Sequence, residues 1–254
     1  MRFSDKVVVV TGGAGGIGSA TGKRFAQEGA NTILTDLEPA HCQQAAQRLA
    51  ADGLTIDFIA ADLKSKQGCE ALIETAIARH GRIDVLVNNA GFMARGDILS
   101  TSDEMWLDSF AVNVHAIFYL CRAVIPHMKR AGAGAIVNTA SAWGLYPAPD
   151  HLAYNTTKGT VATLTRNLAR DCAPLNIRVN AVCPNEIHTP MIESGFKLRG
   201  FDPEEAIEQL NKTVPLGRLG QPEEVAATIA FLASDEASYI CGALVEITGA
   251  KAVP

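Results

Sequence analysis

The amino-acid sequence predicts an α/β fold: a single domain in which a doubly wound parallel sheet carries helices on both faces. Three observations predict it. Short, β-branched apolar runs alternate with helical patterns at the spacing of βαβ units. The first run, Lys6 to Thr11 with its four valines, leads straight into the glycine-rich turn Gly12-Gly13-Ala14-Gly15-Gly16-Ile17-Gly18. The second run, Asn31 to Thr35, stops at Asp36, an acidic residue at the end of a second strand.

Each element follows from its local pattern. Valines flanked by polar residues suit a strand buried on both faces. Ser19 to Gly29 turns helical, with Ala20, Phe25 and Ala26 apolar and Gly29 as the stop. There follow a helix over Glu38 to Ala51, a strand over Thr55 to Ala60 running on to Asp62-Leu63, a helix over 66 to 80, and a strand over Ile83 to Val87 ending in Asn88-Asn89-Ala90-Gly91. A long helix around 103 to 130 carries Asn113 amid Val112, Val114, Ile117 and Phe118. Gly134 to Thr139 reads as a strand running into Ser141, 152 to 170 as a helix, and Ile177 to Val182 as a strand ending at Cys183-Pro184-Asn185. From 184 to 215, prolines at 184, 190, 203 and 215 with Gly195 and Gly200 break the rhythm into short helices and turns, the pattern of a lid. Pro222 to Ala233 resumes as a helix with proline and two glutamates in its first turn, and Ala243 to Thr248 is the last strand. No repeat or long linker divides the chain.

Composition excludes several functions. A chain of 254 residues, 48% hydrophobic and 19% charged, is an ordinary globular protein, and its net charge of -5 offers no footprint for nucleic acid. Six cysteines are widely spaced, with no Cys-x-x-Cys pair and no Cys/His cluster of metal-ligating spacing, so free thiols and no metal are expected. The N-terminus lacks the apolar segment of a secretory signal, and no apolar run approaches a membrane span. These features predict a cytoplasmic protein.

Glycines at 12, 16 and 18 let a backbone turn approach a pyrophosphate, whose charge meets the N–H groups opening the next helix. Asp36 can accept hydrogen bonds from the adenosine ribose hydroxyls and would repel a 2′-phosphate, and neither Gly15 nor Leu37 supplies a cation for that phosphate. The expected cofactor is therefore NAD. Within the helix over 152 to 170, Tyr154 and Lys158 stand at i and i+4 and share a face. An ammonium beside a phenol favours the phenolate, which can exchange a proton with an alcohol or carbonyl oxygen. The pair alone is equally met by a surface helix.

Taken together and in order, Thr11 to Gly18, Asn88-Asn89-Ala90-Gly91, Asn113, Ser141, Tyr154-x-x-x-Lys158 and Pro184 to Met191 resemble the short-chain dehydrogenases/reductases over essentially the whole chain. The resemblance implies a Rossmann-type fold and hydride transfer between a nicotinamide and a secondary alcohol or ketone. It implies that Ser141 steadies the substrate oxygen, Tyr154 moves the proton, Lys158 holds the nicotinamide ribose and depresses the tyrosine pKa, and Asn113 anchors a water. Gly12, Gly15, Gly16, Ile17, Gly18, Asp36, Asn89, Ala90 and Gly91 would form the cofactor site, with Asp62 and Leu63 bordering the adenine and Ile187 and Thr189 meeting the carboxamide and phosphates. It also implies a homotetramer, with Phe110, Val114, Phe118 and Val161 compatible with an interface and equally with a core. Two departures stand out: Pro184-Asn185 where Pro-Gly is usual, and Thr248-Gly249-Ala250 where Asp-Gly-Gly is usual. Asparagine tolerates positive φ, so the first turn can survive.

Candidate substrate contacts are Ser141, Trp143, His151, Asn185, Glu186, His188, Met191 and Phe196, with Lys197 and Arg199 on the lid. So many hydrogen-bonding groups favour a sugar, sugar acid or polyol. A 3-oxoacyl thioester or other ketone reductase carries the same motifs, and a catalytically silent NAD-binding sensor or scaffold is the alternative of another class.

Overall fold

The computed structural model describes residues 1–54 and 56–251. Seven parallel strands form one sheet: β1 (Val7–Thr11), β2 (Asn31–Asp36), β3 (Ile56–Ala60), β4 (Val85–Asn88), β5 (Gly134–Thr139), β6 (Ile177–Pro184) and β7 (Leu244–Ile247), in the order β3-β2-β1-β4-β5-β6-β7. The predicted start of β3 at Thr55 lies outside the described residues. Every residue of β1 is buried, and its valines alternate: Val7 and Val9 join a core with Leu72, Leu120, Val124 and Ile136, while Val8 and Val10 join one with Phe25, Leu34, Val137 and Ile229. Each such side chain contributes roughly 1.5–3 kcal/mol on burial. That two-sided demand is why the strand is a continuous apolar run.

Helices α1 (Gly16–Gln27), α2 (Pro39–Ala51), α3 (Lys66–His80), α4 (Asp103–Phe110), α5 (Ala116–Ala131), α6 (Leu152–Cys172), α7 (Pro190–Leu198), α8 (Pro203–Lys212) and α9 (Pro222–Ala233) surround the sheet. Pairs α1/α9 and α3/α5 pack together, and α6 lies on β6. The chain runs from β1 outward through β2 and β3, then returns to pair β4 with the other side of β1. This reversal opens a crevice at the carboxyl ends of β1 and β4, where open α/β sheets place their ligands.

The stretch Asp103–Ala131 is 29 residues long and, by length and composition, apolar enough to cross a membrane, contrary to the sequence expectation. It is instead a core element: Ile117, Leu120, Cys121, Val124 and Met128 are buried against the sheet and α3. Ser102 caps it by accepting from Met105 N at 3.2 Å, and Gly132 ends it at φ 80°. Between α4 and α5, Ala111–His115 is a π-helical turn centred on the fully buried Asn113. Such turns loosen the regular backbone ladder and concentrate at functional sites.

The proline-broken segment folds as α7 and α8. Asn185 does not take a positive φ, so its side chain is accepted without the left-handed strain that the sequence suggested. At the other departure the left-handed turn persists, with Gly249 at φ 59° and Ala250 at φ 70°, the alanine costing roughly 1–2 kcal/mol of local strain. Val161 belongs to the interior, whereas Phe118 and Leu107 remain exposed on the α4–α5 face. All six cysteines are free and five are buried.

Candidate active site

The glycine turn is built for close approach. Gly12 and Gly16 adopt φ of 63° and 52°, and a Cβ on Gly18 would fall 1.9 Å from the Gly12 carbonyl oxygen. Thr11 Oγ1 accepts from Asn89 N and Ala90 N at 2.9 and 3.0 Å, and Asn89 Nδ2 donates to Thr11 O at 3.1 Å, stapling the end of β4 to the turn. Helix α1 has Gly15 as its N-cap, with no side-chain cap and no acidic residue in its first turn, so its leading N–H groups stay available to an anion. Asp36 accepts from Ala14 N at 3.2 Å and Leu37 N at 2.9 Å, which aims its carboxylate at the turn. A cavity of about 300 Å³ is lined by Gly12, Gly15, Gly16, Ile17, Asp36, Asn89, Ala90, Gly91, Tyr154, Lys158 and Thr189. A turn that only glycine can form, an uncapped helix end and an acidic far wall suit an adenine dinucleotide. Replacing Gly18 by alanine is expected to weaken dinucleotide binding at least about 10-fold, read by calorimetric titration, because the methyl group displaces the Gly12 carbonyl.

Lys158 is 3% exposed, and its ammonium donates to Thr139 O at 2.7 Å, 5.7 Å from the Tyr154 ring centroid. Burial pushes Lys158 down to about 8 and Tyr154 up to about 12. Contrary to the sequence expectation, the influence opposing burial at the phenol is the Ser141 hydroxyl, not the lysine. Ser141 is held by Trp143 N, which donates to its Oγ at 3.1 Å, and Gly144 lets this turn lie on α6, where a Cβ would meet the Lys158 carbonyl carbon at 2.5 Å. The relation of α6 to the sheet is set by a buried chain of amides: Asn88 Nδ2 donates to Asn138 Oδ1 at 2.9 Å and Asn138 Nδ2 to Thr165 Oγ1 at 2.9 Å.

Asn113 commits its side chain to the protein. Its Oδ1 accepts from Phe92 N at 2.7 Å, and its Nδ2 donates to Phe92 O at 2.8 Å and Thr157 Oγ1 at 2.9 Å. The amide thus ties the loop after β4 to α6. Asp62 and Leu63 line neither cavity: Asp62 accepts from Lys64 N at 3.0 Å, and Leu63 is packed in the core.

A second cavity of about 300 Å³ shares Ile17, Thr139, Tyr154, Thr189 and Met191 with the first. Ser141, Trp143, His151, Asn185, Glu186, Ile187, Phe196 and Arg199 also line it, so the sequence candidates converge. Asn185 Oδ1 is buried there without a partner, an acceptor awaiting a hydroxyl or amide. Among the lid candidates, His188 pairs with Glu193 at 3.2 Å and Lys197 is no part of the lining. Sequence reasoning missed Arg95, Met93 and Leu210 in this cavity, and Arg48, whose Nη2 donates to Ala14 O at 3.3 Å beside Asp36. None of these carries a local motif.

A doubly wound sheet whose switch-point crevice joins a glycine-turn cradle to a Tyr-Lys-Ser constellation defines a nicotinamide-dependent oxidoreductase. The family profile described as enoyl-(acyl carrier protein) reductase matches residues 12–249. The chain is 39% identical over 251 residues to the 3-oxoacyl-[acyl-carrier-protein] reductase FabG of Thermotoga maritima, covering 98% of both chains. It is 39% identical to the cyclopentanol dehydrogenase of a Comamonas species, covering 98% of this chain and 97% of that one. The structure of Thermoplasma acidophilum aldohexose dehydrogenase superposes with a TM-score of 0.91 at 35% identity, covering 99% and 95% of the two chains. The protein belongs to the short-chain dehydrogenase/reductase family, whose members interconvert secondary alcohols and ketones with a nicotinamide cofactor.

Proposed function

We propose that the protein is an NAD(H)-dependent dehydrogenase of a small hydroxylated substrate, a sugar, sugar acid or polyol, in the cytoplasm. One observation carries the reading: Tyr154 stands in the wall common to both cavities, beside Lys158 in one and Ser141 in the other. When bound, the cofactor supplies the hydride acceptor or donor. Tyr154 exchanges the proton at the substrate oxygen, Ser141 hydrogen-bonds that oxygen and steadies its charge, and Lys158 holds the nicotinamide ribose. Asn113 keeps the Gly91–Phe92 loop against α6, and Thr189, beside Gly16, closes the cofactor cleft from the excursion over 184–215. We assign NAD because Asp36 meets the ribose hydroxyls and repels a 2′-phosphate, with Arg48 the only cation bonded to that turn among the described residues. The exposed Leu107 and Phe118 on the α4–α5 face are offered to a homotetramer contact.

Likeness to the Thermotoga reductase and the apolar Met93, Ile192 and Leu210 in the substrate cavity favour a second reading, reduction of a 3-oxoacyl thioester. One panel separates the two: NADH formation on polyols, aldonates and hydroxy acids at alkaline pH, set beside NADH and NADPH oxidation with acetoacetyl thioester. Turnover of the thioester alone would replace the first reading by the second. Asp36→Ala is expected to narrow the preference for NAD over NADP by about 10-fold, and an unchanged ratio would remove Asp36 from cofactor choice.

A further inference from the structure

We propose that the substrate carries a carboxylate and that Arg95, braced by His151 and accompanied by Arg199, receives it; this deepens the alcohol–ketone reading and rests on it. Arg95 is half-buried in the substrate cavity, and its Nη1 lies 2.9 Å from His151 Nε2. His151 Nδ1 lies 2.7 Å from Pro149 O, a pure acceptor, so the ring hydrogen sits on Nδ1 and Nε2 offers its lone pair to the guanidinium. The histidine is therefore a neutral hook that turns Arg95 and adds no charge. Burial, and next the nearby Arg199, hold the Arg95 pKa below the usual arginine range.

Helix α7 passes directly over this guanidinium. A Cβ at Gly195 would fall 2.4 Å from Arg95 Nη2, so glycine here leaves the guanidinium its present position beneath the helix. Arg199, at the end of α7, donates from Nε to Gly195 O at 3.1 Å and lies over the rings of Phe196 and Phe201 at 4.7 and 5.5 Å. Two cations thus face one cavity, and neither forms an ion pair among the described residues. Glu186, the one carboxylate among the lining residues, is already engaged with Lys251 at 2.9 Å. Holding the half-buried Arg95 without an ion pair, with the exposed Arg199 adding a second positive charge nearby, is unfavourable unless an anion joins them, and the planar fork of Arg95 matches a carboxylate.

The spacing restricts the ligand. Trp143 lies 6.2 Å from the Tyr154 ring and 4.6 Å from the His151 ring, so a single indole bridges the reacting end of the cavity and the Arg95 brace. A hydroxy or oxo acid with its alcohol at Tyr154 and its carboxylate at Arg95 would lie along that indole.

Matched pairs test the proposal: an aldonate with its alditol, and a short hydroxy acid with its methyl ester. The wild-type kcat/KM is expected to favour the acid by at least about 10-fold. Arg95→Gln should lower it on the acid by about 100-fold and on the neutral partner by less than about 3-fold, with Arg95→Lys recovering part of the loss and Arg199→Gln costing about 10-fold on the acid only. Equal losses on both partners, a wild-type preference for the neutral partner, or a stronger preference for a phosphorylated analogue would overturn the carboxylate subsite and leave the alcohol–ketone reading standing. Turnover of no pair would instead count against that reading. Calorimetric titration with the hydroxy acid then decides the subsite: binding lost in Arg95→Gln supports it, and no binding to wild type overturns it.

Discussion

Tyr154→Phe is expected to lower kcat by about 1000-fold, within the range lost when a positioned acid–base group is removed, while NAD affinity stays within about 2-fold of wild type. The substitution removes one oxygen and keeps the ring, so the edge contact with Trp143 at 6.2 Å and the packing of α6 persist. Loss of activity with an unchanged melting temperature and unchanged titration of NAD identifies a chemical role. Activity above about a tenth of wild type would remove Tyr154 from proton transfer.

Lys158→Met should move activity and stability in opposite directions. The ammonium of a residue that is 3% exposed, with Thr139 O as its single acceptor among the described residues, is costly to the folded protein without cofactor. The variant is therefore expected to gain on the order of 1–3 kcal/mol at pH 7, seen as a rise in Tm of several degrees, while kcat/KM falls by about 100-fold or more. The pH dependence carries the sign. The folded pKa of Lys158 is about 8, below the ordinary 10.5, so between those values the unfolded chain binds the extra proton and wild-type stability rises with pH. Tyr154 acts oppposite in sense: its folded pKa of about 12 exceeds 10, so stability falls from about pH 10 upward. Lys158→Met should lack the rise between pH 8 and 10.5. A lower Tm at pH 7 would show that the ammonium stabilises the fold.

This opposition also bears on what the sequence could foretell about the pair. The i, i+4 spacing correctly places Tyr154 and Lys158 on one helix face, but the expectation that the lysine acidifies the phenol treats both as solvated charges. In the fold both are desolvated, and burial is the first cause of each shift. Asn113 teaches the same lesson: its neighbours in the chain mark a helix, yet its hydrogen bonds run to Phe92 and Thr157, and the backbone around it is π-helical.

The sequence by itself determined the order of strands and helices, the glycine cradle, Asp36 and the Tyr154, Lys158 and Ser141 set, because each is written in residues a few positions apart whose periodicity or turn chemistry is local. Tertiary structure alone decided which face of Asp103–Ala131 enters the core, since that depends on the surfaces packed against it. It alone set Arg95 against His151, 56 positions away, under Gly195 and near Arg199, because β4, α6 and α7 meet only when the sheet is wound. The shared motif marks where a proton moves. The guanidiniums proposed to select the substrate come from two further segments of chain, with His151 of a third as their brace.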